Sequence, residues 1–209
     1  MKYVATLLIT CLALFNAAYA ADTKISVAAV TTPTETIKYA TSSIIKELQA
    51  IPKGERNYEE VQRLIESYIL PAIDQEKIAK LALGKHWRKA TKAQRIAFIE
   101  TFRDLQIRTY TGAFEAFDGQ QFVFGDARFN KTGSRAIVKG EMVQPSGQRI
   151  PIDFKMFINK QKEWKIYDAV IAGLGMVTTY RQQLTDQLQR ETLDEVIAGM
   201  QKEIKTAQR

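Results

Sequence analysis

Cysteine, histidine and long apolar runs are scarce in this 209-residue chain. Each scarcity closes off a class of chemistry. The single cysteine, Cys11, falls inside an N-terminal segment with the features of a secretory leader. Once that leader is removed, no disulfide, thiolate metal site or cysteine nucleophile can form. The single histidine, His86, stands outside any metal-ligand motif, so neither a metal centre nor any other cofactor is expected. There is no P-loop and no nucleophile elbow. Gly173-Leu174-Gly175 lacks the third glycine and the βαβ surroundings of a dinucleotide-binding turn. Beyond the leader no segment approaches the roughly 20 apolar residues of a bilayer-spanning helix. After residue 31 there is no internal repeat and no low-complexity segment.

The leader is built in three parts. Lys2 supplies positive charge, Val4 to Phe15 is an almost unbroken apolar run, and Ala18-Tyr19-Ala20 is the small-x-small pattern read by signal peptidase. Thr10, ahead of Cys11, disfavours a lipoprotein site. Residues 1–20 are therefore expected to be removed on export to the periplasm. Residues 21–209 are expected to form a single domain, with Asp22 to Thr31 as a flexible lead-in.

The leader carries one of the 30 basic residues and none of the 23 acidic ones, so the mature chain keeps a charge of +6. In an exported protein this points to lipid headgroups, membrane surfaces or acidic partner proteins, and no nucleic-acid partner is expected. Lys85, Arg88, Lys89, Lys92 and Arg95 concentrate that charge. They fit a docking patch, and they equally fit a solvated surface.

Periodicity divides the chain into helices to about residue 117, strands from 120 to 171, and helices again from 176 to 207. That order predicts an α+β fold. Thr32-Pro33-Thr34-Glu35, Asn57 with Glu60, Thr91 with Gln94, and Thr192 with Glu195 mark helix starts. Ile37, Ala40, Ile44, Leu48 and Ile51 form one helical stripe; Leu193, Val196, Ile197, Met200 and Ile204 form another. Lys92 to Phe117 is apolar over a wider arc, which predicts contact on more than one side. Four strands follow as a meander, 121–129, 135–143, 148–158 and 164–171. Strict alternation puts Ile150, Ile152, Phe154, Met156 and Ile158 on one face of the third. It groups Trp164, Ile166 and Val170 in the fourth, opposite Tyr167, Ala169 and Ile171.

Asp153 and Asp168 are the carboxylates best placed for acid–base work. Asp153 falls on the polar face of its strand. Asp168 shares parity with Trp164 and Ile166, and an ion pair with Arg88 or Arg181 is the expected arrangement.

Two segments carry a resemblance to a known family. Leu83-Gly84-Lys85-His86-Trp87-Arg88 leads through Thr91 and Gln94-Arg95 to Phe98 and Phe102. Later, Trp164-Lys165-Ile166-Tyr167-Asp168 leads to Gly173 and then Tyr180-Arg181. In order and spacing these resemble the MlaC, or toluene-tolerance, family of periplasmic phospholipid-binding proteins. The resemblance implies a curved four-stranded antiparallel sheet of NTF2-like type, wrapped by about six helices around an apolar lipid pocket. It also implies lipid exchange between an outer-membrane lipoprotein–porin complex and an inner-membrane MCE-domain ABC transporter, without catalysis. Gly175 departs from the serine that relatives often carry after the Gly-x pair.

A lipid carrier must replace the bilayer with protein wall. At about 0.8 kcal/mol per CH₂, a sixteen-carbon chain exposed to water costs roughly 12 kcal/mol. The expected lining is Ile107, Tyr110, Phe114, Val138, Met142, Ile150, Ile152, Phe154, Met156, Trp164, Ile166, Val170, Leu174 and Met176. Methionines in that set can repack around different chains. Periodicity alone fits a filled core equally well. Two alternatives remain at this point: a carrier of another apolar cargo, such as a hopanoid or a lipoprotein acyl group, and a small NTF2-like enzyme using Asp168 or Asp153.

Overall fold

The computed structural model describes residues 32–206; the expected leader, Cys11 and the lead-in to residue 31 lie outside the described residues. The first helix, α1 (Pro33–Ala50), starts where Thr32 Oγ1 accepts the Glu35 amide and Pro33 fills the first turn. Its Ile37, Ala40, Ile44 and Leu48 are buried as one stripe. The turn after it is held by Arg56, whose guanidinium donates to the carbonyls of Leu48, Ile51 and Phe117. Otherwise orphaned carbonyls at the helix end thereby gain a partner.

Asn57 caps α2 (Tyr58–Leu64), which widens into a π turn at Ile65–Ile69 and tightens to a 3₁₀ turn at Leu70–Ala72 around Pro71. Asp74 caps α3 (Gln75–Leu83). Gly84, at φ 54°, ends it. One further turn, α4 (His86–Lys89), leads to the capping box of Thr91 and Gln94 that starts α5 (Lys92–Glu115).

The strands are β1 (Gln121–Phe129), β2 (Arg135–Val143), β3 (Arg149–Ile158), β4 (Trp164–Ile171) and β5 (Leu174–Gly175). All neighbours pair antiparallel in the order β1-β2-β3-β4-β5. Helices α6 (Met176–Gln187) and α7 (Leu193–Thr206) follow. The α+β class holds, but among the described residues the sheet has a fifth strand and the helices number seven rather than about six. The extra strand is a two-residue return. Ala172 and Gly173 both adopt positive φ, 49° and 84°, as a type I′ hairpin turn requires. Two residues are too few to show alternation, so the sequence pattern does not reveal them.

Two bulges alter which residues share a face. In β1 the register shifts between Phe124 and Ala127. In β4, Ile166 pairs with Met156 and Asp168 with Lys155, which leaves Tyr167 as the extra residue. Beyond it the parity reverses. Ala169 and Ile171 pair with Phe154 and Ile152, and Val170 pairs with Asp153. The grouping of Val170 with Trp164 and Ile166 is thus corrected, because strict alternation has no place for a bulge.

Three apolar clusters hold these elements together. One joins α3 to α7 around Phe98 and Phe102. A second joins α1 to the sheet around Val138, Met156 and Trp164. A third joins α1, α2 and α5 around Leu48, Val61 and Ile107. Where the three meet, the interior is not filled.

Candidate functional site: an apolar cavity

The unfilled space is a cavity of about 250 Å³. Helix α1 walls it with Ile37, Ala40, Thr41 and Ile44, and the second half of α5 with Gln106, Tyr110 and Phe114. The sheet contributes Phe122, Ile152, Phe154, Ile166, Ala169 and Ile171. The start of α6 adds Met176, Val177 and Tyr180, and Ile69, Ala72, Ile73 and Ile78 complete the lining. Alanines 40, 72 and 169 present no more than methyl groups to the cavity. Close-packed interiors leave few voids larger than a water molecule, so an apolar space of this size suits hydrocarbon.

Polar groups in the wall are few and largely satisfied. The Tyr110 and Tyr180 side chains sit close enough to act on each other's titration. Burial pushes both above the ordinary phenol range; their interaction raises Tyr110 further and pulls Tyr180 partly back. Both therefore stay neutral at physiological pH. Gln106 Oε1 is buried with no hydrogen-bond partner among the described residues.

Asp168 also touches the cavity, but its two oxygens are engaged. Oδ2 lies 2.9 Å from Lys155 Nζ, and Oδ1 accepts the Val177 amide at 3.0 Å, capping α6 from outside the helix. Neither Arg88 nor Arg181 is its partner, contrary to expectation; Arg181 Nε donates to the Leu81 carbonyl. Register decides this, since Lys155 is the cross-strand neighbour of Asp168. Asp153 pairs loosely with Lys139, at 4.0 Å, and does not line the cavity.

Of the fourteen residues expected to line a pocket, Tyr110, Phe114, Ile152, Phe154, Ile166 and Met176 do line this one. The other eight lie elsewhere. Val138, Met156 and Trp164 fill the cluster between α1 and the sheet, and Ile107 fills that between α1, α2 and α5. Met142 and Ile150 pair with each other on β2 and β3 and are half-buried outside the lining. Val170 is turned away by the bulge, and Leu174, on β5, is 69% exposed. Sequence reasoning left out the α1 wall, although Ile37, Ala40 and Ile44 are visible as a stripe, because a stripe does not say whether it meets side chains or space. It left out Ala169 and Ile171 because of Tyr167.

The basic run divides. Lys85, Arg88, Lys89 and Lys92 are exposed. Arg95 instead donates to the carbonyls of Trp87 and Arg88 and lies over the Trp87 ring at 5.3 Å. Beside them burial, then Lys85 and Lys89, lower the His86 pKa. Among the described residues no cluster of three or more His, Cys, Asp or Glu could hold a metal, and no helix is long and apolar enough to cross a membrane.

Known proteins resemble this chain in sequence or in structure. The chain is 25% identical over 178 residues to the intermembrane phospholipid transport system binding protein MlaC of Haemophilus influenzae, covering 83% of this chain and 82% of that one. It is 26% identical over 187 residues to the toluene tolerance protein ttg2D of Pseudomonas putida, covering 86% and 84%. A phospholipid-binding protein from Ralstonia solanacearum, solved in complex with a phospholipid, superposes with a TM-score of 0.76 over 84% of this chain and 98% of its own, at 23% identity. That likeness establishes the fold. The MlaC protein family profile matches residues 38–202. The chain belongs to the MlaC family, as the motifs around Trp87 and Trp164 suggest.

Proposed function

We propose that this protein is a periplasmic phospholipid carrier that holds acyl chains in the cavity between α1, α5, α6 and the curved, NTF2-like sheet. The cavity carries the proposal: its wall is mostly hydrocarbon side chains, and its phenols are neutral. An acyl chain moved there from water recovers about 0.8 kcal/mol per CH₂. Pockets that enclose drug-sized ligands run to roughly 300–1,000 Å³. At about 250 Å³ the cavity must widen to take a diacyl lipid, and the flexible side chain of Met176 in its wall suits such repacking. The relatives' printed names, and the lipid bound by the Ralstonia protein, support the same cargo.

The leader in residues 1–20 supports export. A carrier there would exchange lipid between an outer-membrane lipoprotein–porin complex and an inner-membrane MCE-domain ABC transporter. We read the protein as a carrier and not an enzyme, because Asp168, the cavity's one carboxylate, is tied to Lys155 and to the start of α6.

Ile152→Glu tests the assignment. Facing hydrocarbon, the new carboxylate costs several kcal/mol or forces water inside, and bound lipid should fall by at least about tenfold. Val123→Glu, at an exposed position on β1, should leave lipid load unchanged. A folded Ile152→Glu protein with full lipid load would contradict the proposal.

A further inference from the structure

A second, solvent-open groove of about 540 Å³ runs along the other flank of α1, against β1. Thr41 and Phe122 line both this groove and the apolar cavity, so the two spaces meet at those side chains. Their chemistry differs sharply. Lys38, Ser42 and Lys46 follow one another at four-residue spacing and share one face of α1. Gln121 faces them from β1, and no carboxylate lines the groove. All three lysines of the strands are paired: Lys155 with Asp168, Lys165 with Glu163, Lys139 with Asp153. No salt bridge among the described residues engages Lys38 or Lys46. At the upper end of the seam, Thr34 Oγ1 donates to the Gly125 carbonyl at 3.3 Å and ties α1 to β1. Below that tie the seam is open.

We infer that this groove seats the phosphate of the bound lipid's headgroup, with Lys38 and Lys46 favouring anionic phospholipids over zwitterionic ones. The inference rests on the carrier reading above. Acyl chains in the cavity would leave the glycerol at Thr41 and Phe122, with the phosphodiester beside two ammonium groups and a row of hydroxyl and amide donors. An extra negative charge on the headgroup, as in phosphatidylglycerol, gains from that field. The ethanolamine cation of phosphatidylethanolamine opposes it. Because both lysines are exposed, the preference is modest and screened by salt.

The full-length mature protein is incubated with vesicles of equimolar phosphatidylglycerol and phosphatidylethanolamine, and bound lipids are counted by native mass spectrometry. The wild-type protein should load more phosphatidylglycerol. Lys38→Glu with Lys46→Glu should lower the loaded ratio by about three- to tenfold, with total lipid unchanged. Lys131→Glu with Lys160→Glu makes the same change of charge on the turns at the far end of the sheet and should leave the ratio alone. If the charge reversal prevents folding, Lys38→Gln with Lys46→Gln should still lower the ratio, by about threefold. An unchanged ratio in a folded, loaded groove variant overturns the inference and leaves the carrier reading intact. A ratio that falls equally in the control pair also overturns it, assigning the preference to overall charge. Absence of lipid from every protein overturns both. Millimolar glycerol 3-phosphate should not alter the ratio; if it does, the groove is a site for a free phosphomonoester and not for a headgroup.

Discussion

Asp168 is 6% exposed, and a carboxylate buried beside an apolar cavity invites a catalytic reading. Its contacts argue for structure. One oxygen balances Lys155 and the other receives the Val177 amide, so the side chain joins β3, β4 and α6 at one point. Asp168→Asn keeps an acceptor for the amide and removes the charge that answers Lys155. A loss of about 1–3 kcal/mol in stability is expected, read by chemical denaturation, with lipid load retained. Lys155 is about a third exposed, which limits the cost. Unchanged stability would show that the pair does not tie these elements together. The sequence showed Asp168 to be a candidate for burial. It did not show the partner, because the nearest cation in the fold is fixed by strand register, which pairs Asp168 with Lys155 and not with Arg88 or Arg181.

At the scale of elements, caps and breakers were legible and departures from regularity were not. Thr32, Asn57 and Thr91 start helices where their side chains can accept an amide, and the structure starts them there. Four strands were visible from alternation and turn residues. The bulge at Tyr167 was not, since an inserted residue leaves no mark in composition, and it moved Val170 out and Ala169 and Ile171 in. Gly140 shows how closely β1 lies on β2. A Cβ placed there would come within 2.6 Å of the Phe124 ring and 2.9 Å of the Val123 carbonyl. Phe124 therefore covers a position that has no side chain of its own. Gly140→Ala should push the ring aside, loosen the β1 edge of the groove and cost about 1–3 kcal/mol, read by thermal unfolding. Wild-type stability in that variant would mean the edge is slack.

For the molecule as a whole, the issue is whether the interior is filled. Apolar stripes predicted which residues turn inward, and they did so for α1, α7 and β3. They could not separate a wall from a core, because both bury the same side chains. Val138 and Met156 went into packed core, whereas Ile152 and Phe154, on the same face of the same sheet, border open space. Small residues make the difference: Ala40, Ala72 and Ala169 stand where larger ones would close the gap. Only the three-dimensional arrangement shows that these alanines border the same space.

Native mass spectrometry of the protein, purified from the cell that exports it and without added lipid, tests the central claim most directly. The account predicts a mass increment equal to one or more phospholipids, lost on organic extraction and largely absent from Ile152→Glu. A protein that is ligand-free as isolated, and that stays so after incubation with phospholipid vesicles, would contradict it.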